Sequence, residues 1–396
     1  MKKLTLSAIV IASTVALPIS ARQAASIDTL LKTAVDQKRV PIAVAMAVEG
    51  PRVTYAGAYG ARLDAIFAIA SMTKPITSVA AMQLVEAGKV RLDEPAATYL
   101  PELAGVRVLD GGSLRPPKTP VTVRHLLTHT AGFGYEFMNR ELLDLVAKKQ
   151  LATMMGPGEA FLQAPLLFDP GTRWQYGINT DWVGKLVERV SGRSLEAYFR
   201  EHIFNPLGMP DSFFDVPAEK QARIVATYQR SAGGGLAEQP RRPARVGQFF
   251  SGGGGLYATA PDYLRFVRAM MAGGALDGRR ILSQQTVAEM RKNQIGQLTL
   301  QPLTSVLPQL AVDGGIVPGQ LDKFGLGFAL NSGTAGTMRG ANTMAWAGIY
   351  NTFFWIDTDK QIGAVLMTQM LPGLDPGARQ LLEDFDRAVY AMKRGS

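Results

Sequence analysis

Ile69-Ala70-Ser71-Met72-Thr73-Lys74 sets a hydroxyl and an amine three residues apart, at the head of a segment that reads as a helix to about Ala87, ended by Gly88. Residues three apart on a helix share a face, so Lys74 can reach the Ser71 hydroxyl. A serine hydroxyl is a poor nucleophile until a neighbouring base takes its proton, and this pair supplies one without histidine. Pro75 is tolerable because the amides of a first helical turn have no intrahelical partner. Ser71 then sits at a helix N-terminus, where unpaired amides favour negative charge. The S-x-x-K pattern alone is weak evidence, so the flanking sequence must carry the case.

Upstream, Ile27, Leu30, Leu31 and Val35 have helical spacing. Residues 42–48 and 53–59 follow as two strands joined at Glu49-Gly50-Pro51-Arg52, a hairpin. From about Val90 to Gln320 the chain alternates helical segments with Gly- and Pro-rich loops; residues 181–190 and 261–271 are the clearest helices. Long irregular stretches span 109–119 and 231–255, and loops of that length are usually functional or mobile. Strands return at 324–330, 343–346, 352–357 and 362–368, before a last helix at 376–393. Strands at both chain ends predict one antiparallel sheet built from both termini, an α+β arrangement. Residues 25–88 and 321–396 would form the sheet domain, and 89–320 a mostly helical insertion beside it.

The 396 residues are 47% hydrophobic and 19% charged, ordinary for a globular protein with a large core. The net charge of +9 is scattered, with no basic run resembling a nucleic-acid arm. Lys2 and Lys3 precede an apolar stretch from Leu4 to Ile19, then Ser20-Ala21 and the polar Arg22-Gln23. That is the pattern of an export signal over about residues 1–24, and predicts a periplasmic or secreted protein without a stable membrane anchor. Cleavage after Ala21 would remove two lysines and leave +9 − 2 = +7. The competing reading is an N-terminal helix that stays attached. With no cysteine, disulfides and Cys-ligated metals are excluded.

Other catalytic patterns can be removed. No G-x-S-x-G elbow occurs. Among three histidines, His125 and His129 are four apart, but no Glu follows the first and no third ligand is evident, so no metal is expected. The glycines at 252–255 lack the Lys-Ser/Thr of a phosphate loop. Beside Ser71 and Lys74, a second proton carrier is needed. Tyr176, in Trp174-Gln175-Tyr176-Gly177-Ile178-Asn179, is the candidate, since a nearby lysine ammonium favours a phenolate.

Ile69–Lys74, Val123-Arg124-His125-Leu126-Leu127-Thr128-His129-Thr130-Ala131-Gly132, Pro170-Gly171-Thr172 ahead of Tyr176, and Ser251-Gly252-Gly253-Gly254-Gly255-Leu256 together resemble serine β-lactamase-like proteins. The order and spacing are similar to class C β-lactamases and, more closely, to family VIII carboxylesterases, from about Ile27 to the C-terminus. The resemblance implies a cleft between the sheet and helical domains, with Ser71 as acylated nucleophile and Lys74 and Tyr176 as the proton-transfer pair. It places the third family motif at Trp346-Ala347-Gly348 on a cleft-lining strand, and an oxyanion hole at the backbone amides of Ser71 and Ile349.

Two departures bear on the substrate. β-Lactamases carry Lys or His where Trp346 stands, and that cation helps hold an anionic carboxylate. They also carry Y-x-N, whereas here Ile178 occupies the Asn position and Asn179 is displaced by one, as an N-cap or a substrate contact. Apolar surface in place of polar recognition suits a neutral ester. Phe133, Tyr135, Phe137, Phe249, Phe250 and Tyr350 would border the cleft, forming acyl and alcohol pockets or packing in the core. The expectation is a cofactor-free serine carboxylesterase for small short- to medium-chain esters. A β-lactamase or D-Ala-D-Ala carboxypeptidase, an acyltransferase and a non-catalytic envelope-binding protein are the alternatives.

Overall fold

A computed structural model describes residues 19–240, 249–315, 321–333 and 338–394; residues 1–18 of the expected export segment lie outside it. Seven strands form the central sheet: β1 (Ala43–Glu49), β2 (Arg52–Tyr59), β3 (Leu321–Phe324), β4 (Ala329–Asn331), β5 (Met344–Gly348), β6 (Thr352–Asp357) and β7 (Ile362–Met367). Their order is β3-β4-β5-β6-β7-β1-β2, every neighbour antiparallel. Both chain ends therefore build one sheet, as the strand pattern predicts.

Central strands such as Ile362–Met367 are buried throughout because helices cover both faces. Adjacent residues of β6 point to opposite sides. Phe354 meets Tyr263 of α5 (Ala260–Met271), ring centroids 5.1 Å apart, and Trp355 meets Phe385 of α6 (Pro376–Arg394) at 5.7 Å. Helix α1 (Ile19–Asp36) packs beside α6. Thus α5, which falls inside the stretch expected to form the helical domain, instead closes one face of the sheet.

The strand expected at 324–330 is two strands. Gly325 lies so close to Met290 that a Cβ would come 2.1 Å from its carbonyl oxygen, and Gly327 has φ +92, so the chain turns between β3 and β4. The loops expected at 109–119 and 231–255 also hold short hairpins, 108–115 and 228–238. The second adds itself to Met370–Leu371.

Helix α2 (Thr73–Glu86) is buried on nearly every side and packs along α4 (Asn179–Ser191), which also packs against α3 (Val123–Thr128). A helix buried all round belongs in the interior, and this one carries Lys74 there. Among the described residues, no helix is long and apolar enough to cross a membrane.

Candidate active site

Ser71 lies in a single 3-10 turn, Ala70–Met72, just ahead of α2. Ala70 has φ +44, an uncommon conformation for a residue with a Cβ. The surroundings impose it. Ile69 N donates to Leu256 O at 3.0 Å, Leu256 N donates to Thr73 Oγ1 at 3.1 Å, and Tyr263 OH donates to Met72 O at 2.9 Å. Thr73 Oγ1 in turn donates to Ala70 O at 2.6 Å. Ser71 alone of the turn is left partly exposed.

Lys74, 2% exposed, makes three hydrogen bonds: Nζ donates to Ser71 Oγ at 3.1 Å, Tyr135 OH at 2.8 Å and Gly253 O at 2.6 Å. The third partner explains the glycine run. A Cβ on Gly252 would lie 2.8 Å from Thr180 O, and one on Gly253 would lie 2.3 Å from Asp181 Oδ2. Only bare backbone fits between α2 and α4 there. Thr77 Oγ1 donates to Gly252 O at 2.7 Å, while Asp181 Oδ1 accepts from Ser251 Oγ at 2.6 Å and Gly253 N at 3.0 Å. Burial pushes the Asp181 carboxyl above its usual range, against the opposing pull of the Lys74 charge.

Tyr176 OH donates to Ser71 Oγ at 2.6 Å, and Lys74 Nζ stands 4.8 Å from the centre of its ring. The ring is wedged between Tyr135 (centroids 5.0 Å), His129 (5.2 Å) and Trp346 (5.1 Å). Gly177 lets this segment approach Phe133, whose carbonyl oxygen would be 2.3 Å from a Cβ. Tyr135 is buried, and its burial, with Tyr176 and Asp181 adding charge repulsion, pushes its phenol well above the ordinary value. It is a neutral acceptor for Lys74. His129 closes α3 with φ 57, and its Nδ1 pairs with Asn179 Nδ2 at 2.9 Å. Burial, reinforced by Lys74, holds its pKa well below the usual value, so the ring is neutral. His125 serves a different end, its Nδ1 accepting from Thr122 N at 3.2 Å in a capping box.

The end of β5 closes the site from the sheet side. Gly348, in the motif expected on a cleft-lining strand, is a glycine because of what lies against it. A Cβ there would come 2.4 Å from Ile69 O and 2.3 Å from Thr352 Oγ1, so the residue lets β5 press against the turn that carries Ser71. Thr352 Oγ1 donates to the same Ile69 O at 3.3 Å. Ile349 follows at once, half-buried.

Several expected substrate contacts are corrected by burial. Asn179, fully buried, is the first residue of α4; Ile178 takes the cap position, and the Asn179 side chain serves His129 and Phe133 O. Phe133, also fully buried, stacks on Trp182 at 6.2 Å. Trp346 is 1% exposed, nearly parallel to His129 and edge-on to Phe324. It backs the Tyr176 ring instead of walling an open cleft. Ala347 is buried beside it, and Phe250 is half-buried against Phe214 at 5.2 Å. Ile178 lines a small apolar cavity with Leu142, Leu151, Met154 and Phe161, next to Tyr135. A larger cavity of about 50 Å³, bounded by Met138, Trp174, Gln175 and residues 301–304, adjoins the Tyr176 segment without including Ser71 in its lining. Sequence reasoning missed the partnership of Tyr135 with Lys74 and the hold of Asp181 on Gly253. The glycine run was the available signal: four consecutive glycines outside a phosphate loop indicate a close backbone approach.

Comparison with known proteins agrees with this geometry. Over 400 residues the chain is 31% identical to the monacolin J acid methylbutanoyltransferase of Aspergillus terreus, covering 92% of this chain and 95% of the relative. It is 30% identical to the lovastatin esterase of Penicillium rubens, covering 92% and 97%. The unliganded simvastatin synthase structure from Aspergillus terreus superposes with a TM-score of 0.81 at 27% identity, over 94% of this chain and 99% of that one. The β-lactamase family model matches residues 27–388, and the chain belongs to that family of serine enzymes.

Proposed function

We propose that this chain is a serine acyltransferase, which forms an acyl-enzyme on Ser71 and passes the acyl group to a small-molecule alcohol. The observation that carries it is the placement of Ser71 Oγ between Tyr176 OH at 2.6 Å and Lys74 Nζ at 3.1 Å. In the reacting form Tyr176 is the phenolate, its hydrogen bond to Ser71 Oγ reversed, and it takes the Ser71 proton as Oγ attacks the carbonyl of an ester or thioester donor. The carbonyl oxygen becomes an oxyanion facing the Ser71 and Ile349 amides; one such donor is typically worth roughly 10²–10³ in rate. The intermediate collapses, and Tyr176 returns the proton to the leaving group. An acceptor alcohol then gives its proton to Tyr176 and attacks the acyl carbonyl, and Ser71 leaves with that proton. Lys74 fixes Oγ through its hydrogen bond and sets its amine over the phenol ring, where positive charge favours a phenolate.

The names of relatives support transfer as the main reaction, and the similarity to an esterase supports hydrolysis, with water as acceptor, as its competitor. The expected carboxylesterase reading thus becomes the secondary one. Product analysis with p-nitrophenyl butyrate and increasing alcohol tests the order. New ester should replace butyrate as the alcohol rises; butyrate alone at every concentration would make the enzyme a hydrolase. Loss of turnover in Ser71→Ala, with no acyl adduct by mass spectrometry, tests the nucleophile.

A further inference from the structure

β5 and β6 are joined by a three-residue loop, Ile349-Tyr350-Asn351, closed by the Gly348–Thr352 pair. Such loops need a left-handed residue at their last position, usually glycine. Here it is Asn351, φ 60, which is fully buried. Its conformation is the ordinary alternative to glycine. Its side chain does something that a hairpin does not require. Nδ2 donates to Met370 O at 3.0 Å and Pro372 O at 2.9 Å, and Oδ1 accepts from Asp375 N at 3.1 Å. Asn351 N donates to Gly348 O at 2.9 Å. Tyr350 O accepts from Met370 N at 3.2 Å and Thr368 Oγ1 at 3.1 Å. The 370–375 segment also presses on Ile349 directly: a Cβ on Gly373 would lie 2.8 Å from Ile349 O and 2.9 Å from its Cγ1. Ile349 is thereby held between two close backbone approaches, Gly348 on Ile69 and Gly373 on Ile349 itself.

We propose that Asn351 is a positioning residue for the oxyanion hole: by riveting the β5–β6 loop to residues 370–375, it fixes the direction of the Ile349 amide relative to Ser71. This rests on the acyl-enzyme reading given above. An amide held by backbone alone would swing with the loop. In a loop anchored by the three Asn351 side-chain hydrogen bonds the amide is set before substrate arrives, which is what oxyanion stabilisation needs.

Asn351→Gly keeps the left-handed backbone and removes the anchor. Gly373→Ala leaves Asn351 in place and pushes Ile349 from the other side; Gly373 has no positive φ, so alanine adds only bulk. Both variants are measured at a temperature where circular dichroism shows them folded, with p-nitrophenyl butyrate as substrate and an arylboronic acid as tetrahedral probe. The expected result is a kcat lower by about 10- to 100-fold, with KM within about threefold and boronate affinity falling in step with kcat. A folded variant with unchanged kcat and boronate affinity overturns the proposal, as does a kcat loss with boronate affinity intact. If Asn351→Gly does not fold, Gly373→Ala decides alone. Absence of acyl-Ser71 in the unaltered protein would instead sink the parent reading, whatever these variants do.

Discussion

Gly253 O lies 2.6 Å from Lys74 Nζ, closer than the Ser71 oxygen at 3.1 Å. With Tyr135 OH at 2.8 Å, Lys74 has three acceptors for the three N–H bonds of an ammonium. Gly253 O and Tyr135 OH thus hold the amine in place against Ser71. In the proposed mechanism the Ser71 proton accordingly goes to Tyr176, with Lys74 supplying charge and orientation.

Lys74→Met is expected to keep the fold, since the side chain is buried and methionine fills similar space, while kcat falls by roughly 10²–10⁴-fold. Lys74→Arg should not rescue it, because a planar fork cannot reproduce a compact three-acceptor geometry. Stopped-flow release of p-nitrophenol reads the acylation step directly; arginine restoring the burst would refute the assignment.

The two tyrosines should separate. Tyr176→Phe removes the proton carrier and should lower kcat by roughly 10²–10⁴-fold. Tyr135→Phe removes one acceptor from Lys74 and should cost about tenfold or less, the scale of one hydrogen bond. Parallel kcat measurements check the ranking, and a larger loss at Tyr135 would reverse their roles.

Gly253→Ala places a methyl group 2.3 Å from Asp181 Oδ2. Overpacking of this kind costs roughly 1–3 kcal/mol. At about 2–4 °C per kcal/mol for a chain at the upper end of the usual size range, calorimetry should show a Tm lower by several degrees. The carbonyl on Lys74 moves with it, so activity should drop as well. An unaltered Tm would mean that the Gly253 backbone has slack that its contacts deny.

Much of this arrangement was readable before the structure. The Ser71–Lys74 spacing, Tyr176 and the strands at both ends are local patterns, and each is where its pattern put it. Asn179 and Trp346 were not readable in the same way. Whether a side chain faces a cleft or the layer behind it depends on how α3, α4 and β5 stack, and no periodicity encodes that. Tyr135 was grouped with the cleft aromatics because its loop position says nothing about which way its hydroxyl turns. Gly348 belongs to the motif expected on a cleft-lining strand, but the group a side chain there would strike is Ile69 O.

His129 gives stability a pH dependence with a definite sign. Its folded-state pKa lies well below 6.5, so the unfolded chain binds a proton that the folded chain refuses. The contribution is full above about pH 6.5 and is lost progressively as pH falls below it. Asp262, raised to about 6 by burial, acts oppositely between its ordinary range and that value. Comparing the native protein with His129→Asn cancels the Asp262 effect, and asparagine accepts the left-handed backbone. The difference in Tm between pH 7.5 and 5.5 should shrink in the variant; equal differences would exclude His129 as the source.

The export reading has its own check. If the first residues direct secretion, the mature protein recovered outside the cytoplasm should begin near Arg22 by N-terminal sequencing. A chain that retains Met1 there would mean that the segment stays attached.

The sheet order carries a last consequence, for synthesis. β1 leaves the ribosome early, yet one of its two neighbours, β7, is made near the end of the chain. Until Met367 emerges, the β1–β2 hairpin has an open edge, and the turn bearing Ser71 waits for the strand that leads to Ile349. Long-range pairing of this kind closes late. Ser71 is written early and its surroundings are completed last: a chain cut short before Ile362 is expected to carry its SxxK pair and to form no acyl-enzyme.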